Sequence, residues 1–365
     1  MPEPVYLDHA ATTPLRPQAR EAMLAVLGER WGNPSSVHRW GREARAALDD
    51  ARARFAAVIG ARPAEVVFTR GGTEADNLAV LGRARVHGGP VAVSAVEHKA
   101  VLSAAGGLGQ RMRILPVDAE GRVEVEAVAE RLRGDAPALV SVMWANNEVG
   151  TVQPVAEIAA LCAQAGAVFH ADAVQALGKV PVRVDAVPVH LAAFSAHKLG
   201  GPRGTGALFV RRGTALDPMF FGGGQERGLR SGTEDVAGAV AFAVAAELAE
   251  AERESAMARI AALRDRLQAG LCERVPGLRV NAAGAQRLAT HLNVRVPGAD
   301  PEMLLLALDS EGVAASSGSA CASGVVSASH VLRAMGLSDD EAGPSVRFSL
   351  GRETTDAEID RVLEI

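Results

Sequence analysis

From about residue 60 to residue 210 the chain alternates short apolar runs with longer stretches of mixed character. Runs at 66–69, 91–95, 113–117, 138–143, 168–173, 191–195 and 207–210 are rich in Val, Ala, Leu and Phe and too short for helices. They predict buried strands. Between them, 74–85, 98–108, 124–132 and 155–165 carry apolar residues at helical spacing. This alternation predicts a mostly parallel sheet with helices on both faces. A long Ala- and Glu-rich helical stretch follows at about 236–273. After it, strands at 291–296 and 346–350 mix with helices at 301–310 and 356–363, a pattern that suits a smaller α+β region.

Several predicted strands end on residues that carry chemistry. The run at 191–195 delivers Ser195, His197 and Lys198 into the Gly-rich turn 200–206. The chain has only three lysines among 38 basic residues, so a lysine kept at a strand end is less readily filler. Arginine cannot replace it in imine chemistry, because the guanidinium stays protonated. Lys99 and Lys179 sit at less informative places, a strand mouth and a turn. The strand at 168–173 ends on Asp172, three residues before Gln175. A lysine able to form a Schiff base and an aspartate able to pair with a pyridinium nitrogen are the minimal pyridoxal phosphate site.

A phosphate seat is expected where the strand at 66–69 runs into Gly71, Gly72 and Thr73 at a helix start. Glycines permit close approach, and the helix end offers free N–H groups. Taken alone, those residues read more simply as an N-capped helix with Thr73 as the cap. His98 follows another strand, where an imidazole can stack on a ring and move protons near neutral pH. Asn146, Asn147 and Glu148 follow a third, and an amide there can bond a ring or a carboxylate. Cys321 lies in a small, polar stretch, 314–324, whose composition predicts an exposed and reactive thiol. Cys162 and Cys272 fall in helical patterns and read as packing cysteines.

Charge and composition narrow the class. A net charge of −5 gives no reason to expect nucleic acid or an anionic membrane as partner. No apolar run reaches membrane length, and the N-terminus lacks the pattern of an export signal. Three widely spaced cysteines point to a reducing compartment, so a cytoplasmic protein is expected. No metal-binding spacing of His or Cys occurs.

The ordered set of motifs resembles the cysteine desulfurases, fold-type I pyridoxal phosphate enzymes of the aminotransferase class V group. It comprises residues 6–14, 32–36, 68–77, 97–98, 146–150, 170–175, 195–198, 222–234, 317–321 and 347–351. The stretch around Cys321 looks like the NifS/IscS-type branch. The resemblance implies a large domain with a mostly parallel seven-stranded sheet, residues 15–255, and a small domain formed by 1–14 and 256–365. It implies that Lys198 binds the cofactor as a Schiff base and moves the substrate proton. Asp172 would then pair with the ring nitrogen, Gln175 would contact the ring hydroxyl and His98 would stack on the ring. Gly72, Thr73, Ser195 and His197 would hold the phosphate. Thr233 would reach the phosphate in the opposite subunit of a homodimer. Asn147, which would also border the cofactor, and Arg347 would bind the carboxylate of L-cysteine. Cys321 would take its sulfur as a persulfide and pass it to an acceptor, an iron–sulfur scaffold or a thiolation enzyme.

Two departures from the family pattern bear on the acceptor. The chain stops at Ile365, earlier than relatives that dock a scaffold through a longer tail, and the segment after Cys321 lacks the usual acidic residue and proline. His9 stands where Asn is commoner. A selenocysteine lyase or a class V aminotransferase shares the fold and stays open as an alternative. A non-catalytic sulfur-transfer scaffold is disfavoured by the complete site.

Overall fold

In the computed structural model, which describes residues 4–317 and 328–365, a seven-stranded sheet forms the centre. The chain opens with strand β1 (Val5–Tyr6) and helices α1 (Pro17–Glu29) and α2 (Arg39–Ile59). It then runs through β2 (Val66–Thr69), α3 (Gly72–Val86), β3 (Val91–Ser94), α4 (Lys99–Gly106), β4 (Met112–Leu115), α5 (Val125–Asp135), β5 (Leu139–Ser141), α6 (Val155–Ala165), β6 (Val168–Asp172), β7 (Leu191–Ser195) and β8 (Gly206–Val210). The sheet order is β2-β8-β7-β6-β5-β3-β4. Only β8 is reversed, pairing antiparallel with both β7 and β2. The expected mostly parallel sheet is therefore present.

Apolar side chains fill both faces of this sheet. One face packs α2 and α6 around Phe55, Phe169, Phe194 and Phe209, together with Phe242 of α7 (Val236–Arg274). The other packs α3 and α4 against Val67, Val93, Leu139, Leu191 and Leu208. Such strands are buried on both sides, which is why they read as continuous apolar runs.

Beyond α7 the chain forms β9 (Arg279–Val280), β10 (His291–Arg295), α8 (Pro301–Ser310) and β11 (Val313–Ala314). It ends with α9 (His330–Ala334), α10 (Asp339–Ala342), β12 (Ser345–Ser349) and α11 (Asp356–Glu364). A three-stranded sheet, β12-β10-β9, and the parallel pair β1-β11 enclose a separate core around Leu7, Ile260, Leu292, Phe348 and Ile359. The first half of α7 buries Val236 to Ala249 in the large core, and the second half gives Ile260, Leu263 and Leu267 to the small one. Cys162 is buried, and burial pushes its thiol up to about 12, as befits a packing residue. Cys272, expected to pack, is exposed near the end of α7. No helix among the described residues is long and apolar enough to cross a membrane.

Candidate active site

A cavity of about 420 Å³ opens where β2, β3, β5, β6 and β7 end. These strands run in one direction, so their carboxyl ends share one rim, the usual ligand site of open α/β sheets. The cavity collects Gly72, Thr73, His98, Asn147, Asp172, Gln175, Ser195, His197, Lys198 and Arg347, drawn from segments more than 270 residues apart. Asp8, Asp76, Ser316 and His330 also line it and were not singled out from sequence.

The start of α3 is built for an anion. Its N-cap is Gly71, at φ 134°, and no described side chain caps the helix. Thr73, expected as the cap in the simpler reading, lies inside the first turn, exposed and facing the cavity. The first N–H groups and the Thr73 hydroxyl are thus available to a phosphate. A Cβ built on Gly72 would meet Val174 Cγ2 at 2.7 Å, so the glycine lets α3 approach the segment after Asp172. Ser195 ends β7 beside it, and His197 bonds Thr12 Oγ1 through Nδ1 at 3.2 Å. Burial and then the Lys198 charge push the His197 imidazole down to about 4, so it is neutral and can donate one N–H.

Lys198 and Asp172 supply the remaining demands. Lys198 Nζ donates to the carbonyls of Ala10 and Ala11, both at 2.7 Å. Burial, followed by Arg347, pulls its ammonium down to about 8, poised between amine and ammonium near neutral pH. Asp172 is buried and accepts from Val174 N–H at 2.9 Å. Burial raises its carboxyl, while His98 and Lys198 oppose the shift. A cation on its cavity side would hold it ionised. His98 caps α4, accepting from Ala100 N–H at 3.1 Å through Nδ1, and leaves its exposed ring against the cavity. It thus caps the helix, as the simpler reading expects, and also lines the cavity. Gln175 Nε2 donates to Ala10 O at 2.9 Å, and Lys179 Nζ bonds the Gln175 carbonyl at 3.1 Å.

The two adjacent asparagines divide their work. Asn146 is fully buried, accepting from Glu148 and Val149 N–H and donating to Val96 O, so it shapes the turn. Asn147 lines the cavity. Arg347, from β12, donates to Asn147 O at 2.8 Å and to Asp8 Oδ1 at 2.7 Å. It is only 4% exposed, and its Nε has no hydrogen-bond partner among the described residues. A fixed, part-satisfied guanidinium at a cavity wall suits a carboxylate.

One expected residue does not line this cavity, and another lies outside the described residues. Thr233 is exposed and does not line it. Cys321 lies outside the described residues, but both flanks of its segment reach the site. Ser316 exchanges backbone hydrogen bonds with Arg347, and His330 Nε2 bonds Glu97 O at 2.9 Å.

An anion seat, a partly deprotonated lysine and a buried carboxylate in one cavity fit pyridoxal phosphate. Comparison with known proteins agrees. Residues 5–362 match the aminotransferase class-V family. A cysteine desulfurase from Gluconacetobacter diazotrophicus is 45% identical over 99% of this chain and 92% of its own. The solved structure of a NifS-like protein superposes with a TM-score of 0.91 at 35% identity, covering 99% of this chain and 97% of its own. The solved structure of SspA in complex with cysteine does so at 0.83 and 32%, covering 96% of this chain and 100% of its own. The chain therefore belongs to the aminotransferase class-V family, among its pyridoxal phosphate-dependent cysteine desulfurases.

Proposed function

We propose that this enzyme converts L-cysteine to L-alanine and moves the sulfur onto Cys321. The observation that carries this is the meeting, in one cavity, of Lys198, Asp172, the uncapped start of α3 and Arg347. The related SspA structure, which holds cysteine, supports the choice of substrate. Pyridoxal phosphate, when bound, supplies an electrophilic carbon for the substrate amine and a sink for electrons released at Cα.

Gly72, Thr73, Ser195 and His197 would hold the phosphate, Asp172 would serve the ring nitrogen, Gln175 the ring hydroxyl and His98 the ring face. Arg347 and Asn147 fix the substrate carboxylate. Lys198 would hold the cofactor between turnovers, and its free amine would take the Cα proton. Cys321 attacks the substrate sulfur as a thiolate. A sulfur–sulfur bond forms as the substrate's Cβ–S bond breaks, leaving Cys321 as a persulfide. The electron pair left at Cβ takes a proton, a role open to His98 at the cavity wall, Lys198 returns a proton to Cα, and alanine departs. The persulfide sulfur then passes to an acceptor protein. The same reading divides the chain into a large unit, 15–255, and a small one formed by 1–14 and 256–365, supported by the change of core along α7.

The test is alanine and sulfide release from L-cysteine and a reductant, for the wild type and Cys321→Ala. Loss of both products in the variant, with its visible cofactor band retained, is expected. Normal catalytic turnover without Cys321 would end the persulfide mechanism. Cofactor bound but no turnover by the wild type would favour the aminotransferase or lyase chemistry of the same fold.

A further inference from the structure

The floor of the cavity holds an acid that the mechanism above does not use. Asp76 sits on the first turns of α3, four residues after Gly72, and is 1% exposed. Its Oδ1 has no hydrogen-bond partner among the described residues, and neither has His170 Nε2. The two atoms lie 3.6 Å apart and are complementary in role, one able to accept the proton the other carries. His170 is fully buried on β6, two residues before Asp172 and so on the same face of the strand. Its other nitrogen, Nδ1, bonds Ser141 Oγ at 2.8 Å. Asp76, His98 and Asp172 bring one polar atom each within 4.8 Å of one another. Two buried orphan atoms this close need one proton between them, and a small side-chain rotation makes the bond.

We infer that Asp76 is a positioning residue held as a neutral carboxylic acid, donating its proton to His170 Nε2, so that Asp172 is the one anion on that floor presented to the cofactor's ring nitrogen. The assignment of Asp172 rests on the proposed function; the protonation of Asp76 does not. Placing the same proton on His170 would create an ion pair. That requires two buried charges, each costing several kcal/mol in desolvation. The groups facing Asp76 oppose a second anion as well. Asp172 and Glu97 are carboxyls, and burial followed by these two neighbours drives Asp76 well above the carboxylate range. Burial also drops the His170 imidazole to about 3. His98 and Lys198 are the nearby bases, and both act on Asp172. The neutral arrangement satisfies each orphan atom with no added charge.

The infrared spectrum of the full-length, cofactor-loaded enzyme reads this directly. The wild type is expected to show carbonyl bands of protonated carboxylic acids, with one component lost in Asp76→Asn while the Glu97 component and the carboxylate bands stay unchanged. Asp76→Asn keeps a donor toward His170, so its cofactor dissociation constant is expected to stay within about threefold, whereas Asp76→Leu, which leaves His170 unpaired, should weaken it about tenfold, one charge-free buried hydrogen bond's worth. Loss of a carboxylate band instead of the acid band in Asp76→Asn would overturn the inference, as would equal weakening by Asn and Leu. Asp172→Asn separates the two readings. If it left cofactor affinity and visible spectrum unchanged, the ring-nitrogen pairing would fall while the infrared assignment of Asp76 stood.

Discussion

Arg347 is the residue whose chemistry is most constrained by its neighbours. Asp8 and the Asn147 carbonyl hold two of its nitrogens, and the backbone of Ser316 pairs with its own. Lysine at this position keeps the charge and loses the planar fork. Arg347→Lys is expected to lower kcat/KM for L-cysteine by roughly 10- to 100-fold, mainly through KM, since a charge-assisted hydrogen bond contributes about 1.5–3 kcal/mol. Steady-state kinetics checks it; an unchanged KM would remove Arg347 from carboxylate binding. Glu97 makes a different prediction. It is fully buried, bonding Ser94 Oγ and Met143 N–H, both at 2.6 Å, and burial raises its carboxyl to about 8. A carboxyl raised in the fold contributes stability that is complete below its ordinary value near 4.5 and is lost as pH rises through 8. Urea unfolding should therefore show wild type losing roughly a few kcal/mol relative to Glu97→Gln between pH 4.5 and 8. Parallel pH curves would mean that Glu97 is ionised in the fold. Lys198, Asp172 and His98 were legible as residues because strand ends announce themselves in sequence. The division of labour between Asn146 and Asn147 was not readable from spacing, because it depends on which amide faces Val96. Asp76 does carry a sequence signal: it lies one helical turn beyond Gly72 and Thr73, on the cavity face of α3.

At the scale of elements, apolar runs located strands well. The run at 191–195 coincides with β7, and 155–165 with α6. What runs cannot carry is direction. β8 reverses because only residues 196–205 separate it from β7, too few for the crossover that a parallel neighbour requires. That reversal brings Gly206 against the start of α3. A Cβ there would meet Gly71 C at 2.6 Å and Phe194 O at 2.6 Å, both backbone atoms. Neither can rotate away, so Gly206→Ala must move the start of α3 or the edge of β7. A loss of about 1–3 kcal/mol in urea unfolding is expected, together with weaker cofactor binding. Unfolding and cofactor titration on the same variant check it; full stability with normal affinity would show that α3 is not fixed by this contact. Helix α2 escaped the sequence reading because its apolar stripe is dominated by alanine, at 44, 47, 51 and 56, which says little about burial until Phe55 and Ile59 are seen packing with it.

For the whole molecule, the informative surface is apolar. Trp31 and Trp40 stack on each other with centroids 6.0 Å apart, next to Val37, which is 89% exposed. Phe221 is 83% exposed. It leads into residues 222–234, which are pinned to the body by the buried Arg52–Glu226 pair at 2.7 Å and by Arg230–Glu74 at 2.9 Å. Glu226 and Arg227 both have positive φ, at 48° and 58°. A strained, firmly anchored segment that ends with Thr233 exposed and outside the lining of its own cavity is the arrangement expected if another copy receives it. If the homodimer that the family resemblance implies uses this face, Phe221→Asp places a charge in the interface, and sedimentation should show monomers where the wild type gives dimers. Thr233→Ala should leave the dimer intact and weaken the cofactor by about tenfold, the loss of one hydrogen bond to a charged group. The two effects are not independent if Thr233 acts across the interface. In the Phe221→Asp monomer the hydroxyl has no phosphate to reach, so adding Thr233→Ala should change cofactor affinity no further. A further tenfold loss in the monomer would place Thr233 at its own chain's phosphate, and the dimer would then owe nothing to that residue.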